Sequence, residues 1–115
     1  MEYKEGLKWL KSYRELSDHF IYLNNRIKNV KSINYEPIES NGKSKTINDL
    51  IQEKIDVNDE MIEIENAIEN IDNIYLRMVL GYRFLQFKKI DEVMEVFNKS
   101  DRWVLDKTKE GIEKI

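Results

Sequence analysis

The chain has 115 residues, of which 41% are hydrophobic and 36% charged, with one Pro, four Gly and no Cys. That length fits one domain, the scarcity of Pro and Gly argues against a turn-rich β fold, and the lack of Cys excludes a disulfide framework or a thiolate zinc site. The net charge of −3 is too small to assign a partner, no apolar run approaches the ~18 residues of a membrane helix, and MEYKEGLKWL lacks a signal-peptide core.

The first predicted element is a helix with apolar residues at Trp9, Tyr13, Leu16, Phe20, Leu23, Ile27 and Val30. Their alternating steps of four and three form a heptad seam, which only a helix places on one face. Asn34-Tyr35-Glu36-Pro37 ends it, because a residue before Pro is pushed out of the α region. A loop is expected over residues 35–46, where Ser40-Asn41-Gly42 and Ser44 follow the Pro.

Thr46 then serves as N-cap of a second helix, with Asp49 closing an imperfect capping box. Its seam is Ile47, Leu50, Lys54, Val57, Met61, Ile64, Ile68 and Ile71. Lys54 either snorkels out of that seam or sets its register. A second stripe, Ile51, Ile55 and Ile62, makes the apolar face wider than two helices need. The C-terminal segment or a second copy of the chain must cover the excess, so the stripe is the expected oligomer or partner interface, with a homodimer as the expected assembly. The helices have similar lengths, so they predict an antiparallel two-helix coiled-coil hairpin over residues 1–72.

Charge is divided unevenly along the chain. Residues 47–73 hold nine Asp or Glu against one Lys, whereas residues 74–115 hold nine Lys or Arg against seven acids. The acidic pI therefore describes the second helix rather than the C-terminal part. Asp56, Asp59, Glu60 and Glu63 share one face of that helix, a spacing that could pair carboxylates for metal or acid-base work. They meet no His, no Gly-rich loop and no nucleophile, so they read as a solvated face. No enzyme, metal site, cofactor or small-molecule substrate is expected. His19, the only His, reads as a surface residue beside Phe20.

Residues 73–115 predict three shorter helices arranged as a helix-turn-helix unit. Asp72 or Asn73 caps IYLRMVLGYRFLQF, with Leu76, Leu80, Phe84 and Phe87 on one side; Lys88-Lys89 is a break. IDEVMEVF follows, then Asn98-Lys99-Ser100, then a last helix with Val104, Thr108, Ile112 and Ile115 on one face. Ser100 is the expected N-cap of that helix. In a major groove its exposed face would present Asp101, Arg102, Trp103, Leu105, Asp106 and Lys109, with Arg102 able to grip guanine through two hydrogen bonds. Lys88, Lys89, Lys99 and Lys107 are the phosphate candidates. Asp101 and Asp106 have two readings each: cytosine acceptors that exclude wrong sequences, or, respectively, a complement to the helix dipole and a solvated position. Trp103 either faces the groove or packs on the neighbouring helix.

The run YLRMVLGYRFLQFKKIDEVMEVFNKSDRWVLDKTKEGIEKI resembles region four of bacterial sigma factors. It is more similar still to small phage proteins that carry this module behind a helical hairpin, among them the ArpU/RinA-type late-transcription regulators. Arg83-Phe84, Glu92-Val93-Met94, Val96 to Ser100, Val104 and Gly111 to Ile115 carry the resemblance. Met94 and Gly111 stand where that family has Ala, Lys107 where it often has an apolar residue, and Asn98 where a turn Gly is usual. The resemblance implies a phage or prophage transcriptional regulator that binds double-stranded DNA in the bacterial cytoplasm. Its hairpin would dimerise or contact RNA polymerase. The competing expectation is a degenerate helix-turn-helix acting as a protein adaptor or inhibitor through the acidic helix.

Overall fold

A computed structural model describes residues 1–33 and 46–115, and among them every regular element is helical. The helices are α1 (Tyr3–Ile33), α2 (Ile47–Glu69), α3 (Ile74–Leu80), α4 (Ile90–Phe97) and α5 (Asp101–Glu113), and a π-helical turn, Gly81–Leu85, extends α3. The expected loop, the Pro37 helix stop and the side chain of Val30 lie outside the described residues. No described helix is long and apolar enough to cross a membrane. The chain divides into two compact units, residues 15–61 and residues 1–14 with 62–115. Both boundaries fall inside the long helices rather than near residue 72.

In the unit of residues 15–61, Leu23 and Ile27 of α1 and Leu50 and Val57 of α2 form a buried core. Leu16, Phe20, Ile47, Ile51 and Met61 close around it. Ile51 of the second stripe is thus partly used, while Ile55 stays 47% exposed. Lys54 is half-buried, and its ammonium lies 5.3 Å from the centre of the Phe20 ring. The start of α2 forms a complete capping box, with the Thr46 N–H donating to Asp49 Oδ2 at 3.1 Å and the Asp49 N–H to Thr46 Oγ1 at 3.2 Å. His19 is not merely solvated, since its Nε2 sits 3.1 Å from Glu53 Oε1.

In the other unit, α1 buries Gly6, Leu10 and Tyr13, and Trp9 remains half-buried. The heptad seam is therefore displaced at its first step, from Trp9 to Leu10. The reason is a tertiary contact: this end of α1 faces α5, where Gly6 lies against Ile112. Gly111 works the same way from α5, since a Cβ there would meet Leu80 Cδ1 at 3.0 Å and Leu80 Cγ at 3.1 Å. The absent side chain lets α5 approach α3 closely. Beside this contact, Val79, Val93 and Val104 form a core with Met94, Phe97 and Trp103 packed on it.

Asn73 is the cap of α3, its Oδ1 accepting the N–H groups of Tyr75 at 2.9 Å and Leu76 at 3.3 Å. The single α-helix expected over IYLRMVLGYRFLQF is corrected: it widens into the π turn after Leu80. The Gln86 N–H reaches back five residues to the Gly81 carbonyl, and the Lys88 N–H six residues to that of Tyr82. Phe87 is consequently in the left-handed region, at φ 60°. For an aromatic residue that conformation costs ~1–3 kcal/mol. Its ring packs 6.1 Å from that of Tyr13, centre to centre, and under the Arg14 guanidinium at 5.1 Å. These contacts offset the strain.

Tyr13 also carries a pH dependence. Its phenol donates to Glu65 Oε2 at 2.6 Å. Burial first, and then the bond and charge of Glu65, push its pKa from the ordinary 10.0 up to about 12. A raised pKa means the folded state holds the proton more tightly, so the contribution is complete below about pH 10 and is lost as pH rises toward about 12. Tyr13→Phe should remove it. Urea unfolding of both proteins should show the wild-type advantage shrinking over that interval, and a gap that stays constant would contradict the assignment.

Candidate nucleic-acid interface

The segment between α4 and α5 is three residues, Asn98-Lys99-Ser100. Asn98, which stands where the resembled family has a turn Gly, takes the left-handed conformation, at φ 53°, ψ 50°. The N–H groups of Asn98 and Lys99 both return to the Met94 carbonyl, the latter at 3.1 Å, which closes the C-terminus of α4. An Asn tolerates this conformation because its short side chain can bond locally. Ser100 then caps α5, its Oγ accepting the Trp103 N–H at 3.2 Å. A left-handed stop followed at once by a polar cap turns the chain sharply with both helix ends satisfied.

Within this frame the predicted residues fall into groups. Arg102, Leu105, Asp106 and Lys109 are exposed on α5, with Leu105 at 44%. Asp101 is exposed as well, and its Oδ1 accepts the Arg102 N–H at 2.7 Å. That contact favours the helix-terminus reading of Asp101, because the carboxylate already complements free N–H groups of the first turn. Lys107 is drawn back along the helix to Glu110, Nζ to Oε2 at 3.2 Å. An exposed pair of this kind is worth ~0–1 kcal/mol and gives way readily to a phosphate.

Trp103 is half-buried and packs on its neighbours. Its ring centre lies 5.3 Å from that of Phe97 and 6.5 Å from that of Tyr75. Tyr82 adds an edge-on contact to Phe97 at 5.9 Å. The Lys99 ammonium sits 5.9 Å from the Trp103 ring centre. Tyr75, Phe97, Trp103, Lys99, Lys107 and Asn73 line a groove of about 400 Å³. The contributions of Tyr75 and Phe97 to this surface are not legible in the sequence, where each looks like one more apolar position of its own helix.

Lys88 and Lys89 do not join the α5 group. They line a separate cleft together with Lys11, Arg14 and Arg83. Ile62 is 41% exposed on α2, as the second stripe leads one to expect. Asp56, Asp59, Glu60 and Glu63 are all exposed. Among the described residues no His, Asp and Glu side chains cluster in a way that could hold a metal ion. No family model matches the chain, and neither a curated protein nor a solved structure matches it.

Proposed function

We propose that this chain is a phage or prophage transcriptional regulator that binds double-stranded DNA in the bacterial cytoplasm through α3, α4 and α5 acting as a helix-turn-helix unit. The observation that carries the reading is the α4–α5 corner. Left-handed Asn98 and capping Ser100 leave Arg102, Leu105, Asp106 and Lys109 together on an exposed helix face. Such a face is what a recognition helix offers to base edges. On this reading α1 and α2 are the arms of an antiparallel coiled-coil hairpin. Exposed Ile55 and Ile62 on α2 join two copies, or meet RNA polymerase, and two half-sites call for two copies.

The test is duplex binding by fluorescence anisotropy, first at low and then at moderate salt, with a target selected from random sequence. Affinity should fall steeply with salt as phosphate contacts release counterions. Arg102→Ala should cost ~1–3 kcal/mol on the selected site and little on unrelated DNA. Equal binding of the variant and the wild type to that site would remove Arg102 as a base reader.

A second reading draws on the exposed carboxylates of α2 and on Asp101 and Asp106 of α5. In it the corner no longer reads DNA and α2 docks on a basic protein surface. Absence of duplex binding even at low salt would select it.

A further inference from the structure

The cleft that holds Lys88 and Lys89 lies between residues 10–14 of α1 and the π turn after α3. Its volume is about 250 Å³, and Leu10, Phe84, Phe87 and Ile90 supply its apolar lining. Five cationic residues line it, Lys11, Arg14, Arg83, Lys88 and Lys89, and no carboxylate does; the Lys88 ammonium lies 6.0 Å from the centre of the Tyr82 ring, at the edge of the group. Like charges gathered in this way repel one another, and the repulsion grows as the surroundings become less polar. Glu92 is engaged with the Lys89 backbone N–H at 3.0 Å. Among the described residues none of the five cations forms an ion pair.

Arg83 is the centre of the arrangement. It is partly buried, and burial lowers its pKa from the ordinary value. One of its nitrogens donates to Thr108 Oγ1 at 2.9 Å. A guanidinium has five N–H donors, and no other described side chain or carbonyl accepts from this one. Arg14 is held over Phe87 at 5.1 Å by the left-handed kink, so a strained backbone position fixes a cation at the rim. Guanidinium donors that reach solvent, ringed by further cations, can offer charge-assisted hydrogen bonds to an anion.

We infer that this cleft binds a phosphate group, and that the group belongs to the backbone of nucleic acid crossing the N-terminal end of α4. The choice of ligand rests on the DNA-binding reading; the anion chemistry does not. Lys88 and Lys89 lead directly into α4, whose other end turns into α5, so a strand engaged by α5 has further backbone to place. Lys11 and Arg14 make α1 part of the DNA contact, a role beyond dimerisation.

Two measurements test this on the full chain. Lys11→Gln/Arg14→Gln removes two cations from the cleft, and Lys4→Gln/Lys8→Gln removes two exposed cations from the same helix outside it. In the logarithmic plot of duplex affinity against salt, the slope should become shallower by about 1.8 for the cleft variant and stay unchanged for the other. In NMR spectra, inorganic phosphate titrated against chloride at equal ionic strength should shift the Arg83 Nε–H and the Lys88 and Lys89 amides saturably, and the cleft variant should lose that response. Equal slopes for the two variants, or phosphate shifts that persist in the cleft variant, would overturn the site. Saturable phosphate shifts without any duplex binding by the wild type would overturn nucleic acid as the source and leave a site for free phosphate.

Discussion

Gly6→Ala should destabilise the protein by ~1–3 kcal/mol, although Ala is the better helix former by about 1 kcal/mol. Gly6 lies within α1, and a Cβ built there overlaps Cγ2 of Ile112. Ile112 is fully buried, and its Cγ2 branches directly from Cβ, so it has no flexible end to swing aside. Either α1 must move away from α5 or Ile112 must leave its rotamer, and both lose packing. The companion substitution should go the other way. Gly81 has a helical φ of −60°, and a Cβ there meets nothing within 4 Å. Gly81→Ala should therefore stabilise by about 0.5–1 kcal/mol. Urea midpoints of the two variants should bracket the wild type. A double cycle with Ile112→Leu, which removes the offending branch, should recover part of the Gly6→Ala loss. If Gly6→Ala raised the midpoint, the contact between α1 and α5 would be wrong.

Thr108→Val should cost ~1–3 kcal/mol, an effect out of proportion to the loss of one hydroxyl. Thr108 is fully buried, and its hydroxyl holds two partners at once. It donates to the Val104 carbonyl at 2.8 Å and accepts from Arg83 at 2.9 Å. The first bond is minor, since that carbonyl already has a helical partner. The second satisfies a cation in a partly buried position, and an apolar isostere leaves that donor facing a methyl group. Thr108→Ser retains the hydroxyl and should cost much less. Thermal unfolding of the three proteins gives the comparison, and a loss for Thr108→Ser with none for Thr108→Val would show that only the methyl of Thr108 matters. The pair also ties α5 to the π turn, so a loosened Arg83 should weaken phosphate binding as well.

The helices were legible because each announces itself in a local pattern. Steps of three and four predict α1 and α2 from their apolar residues alone, and Thr46, Asn73 and Ser100 mark their helix starts by side-chain chemistry that acts over two or three residues. Left-handed Asn98 was suggested by the resemblance, which puts a Gly at that turn, and Asn tolerates the same conformation. The exposed face of α5 follows from the buried face, once Val104, Thr108 and Ile112 are recognised as the core side.

Other features depend on what a segment meets. Leu10 replaces Trp9 in the buried row because α1 packs on α5 there, and nothing within α1 announces that neighbour. The π turn and left-handed Phe87 are invisible in IYLRMVLGYRFLQF, whose apolar period suits an unbroken helix. The Phe87 ring finds its partners, Tyr13 and Arg14, about seventy residues away in sequence. The basic cleft is the extreme case. Lys11 and Arg14 read as ordinary surface cations and Arg83 as the end of an apolar helix, and their meeting is set by long-range packing alone. Local chemistry thus determined which residues are helical, where helices start, and which side of α5 stays in water. The tertiary structure decided which helices touch and which charges converge, because neither depends on the spacing of residues within a single element.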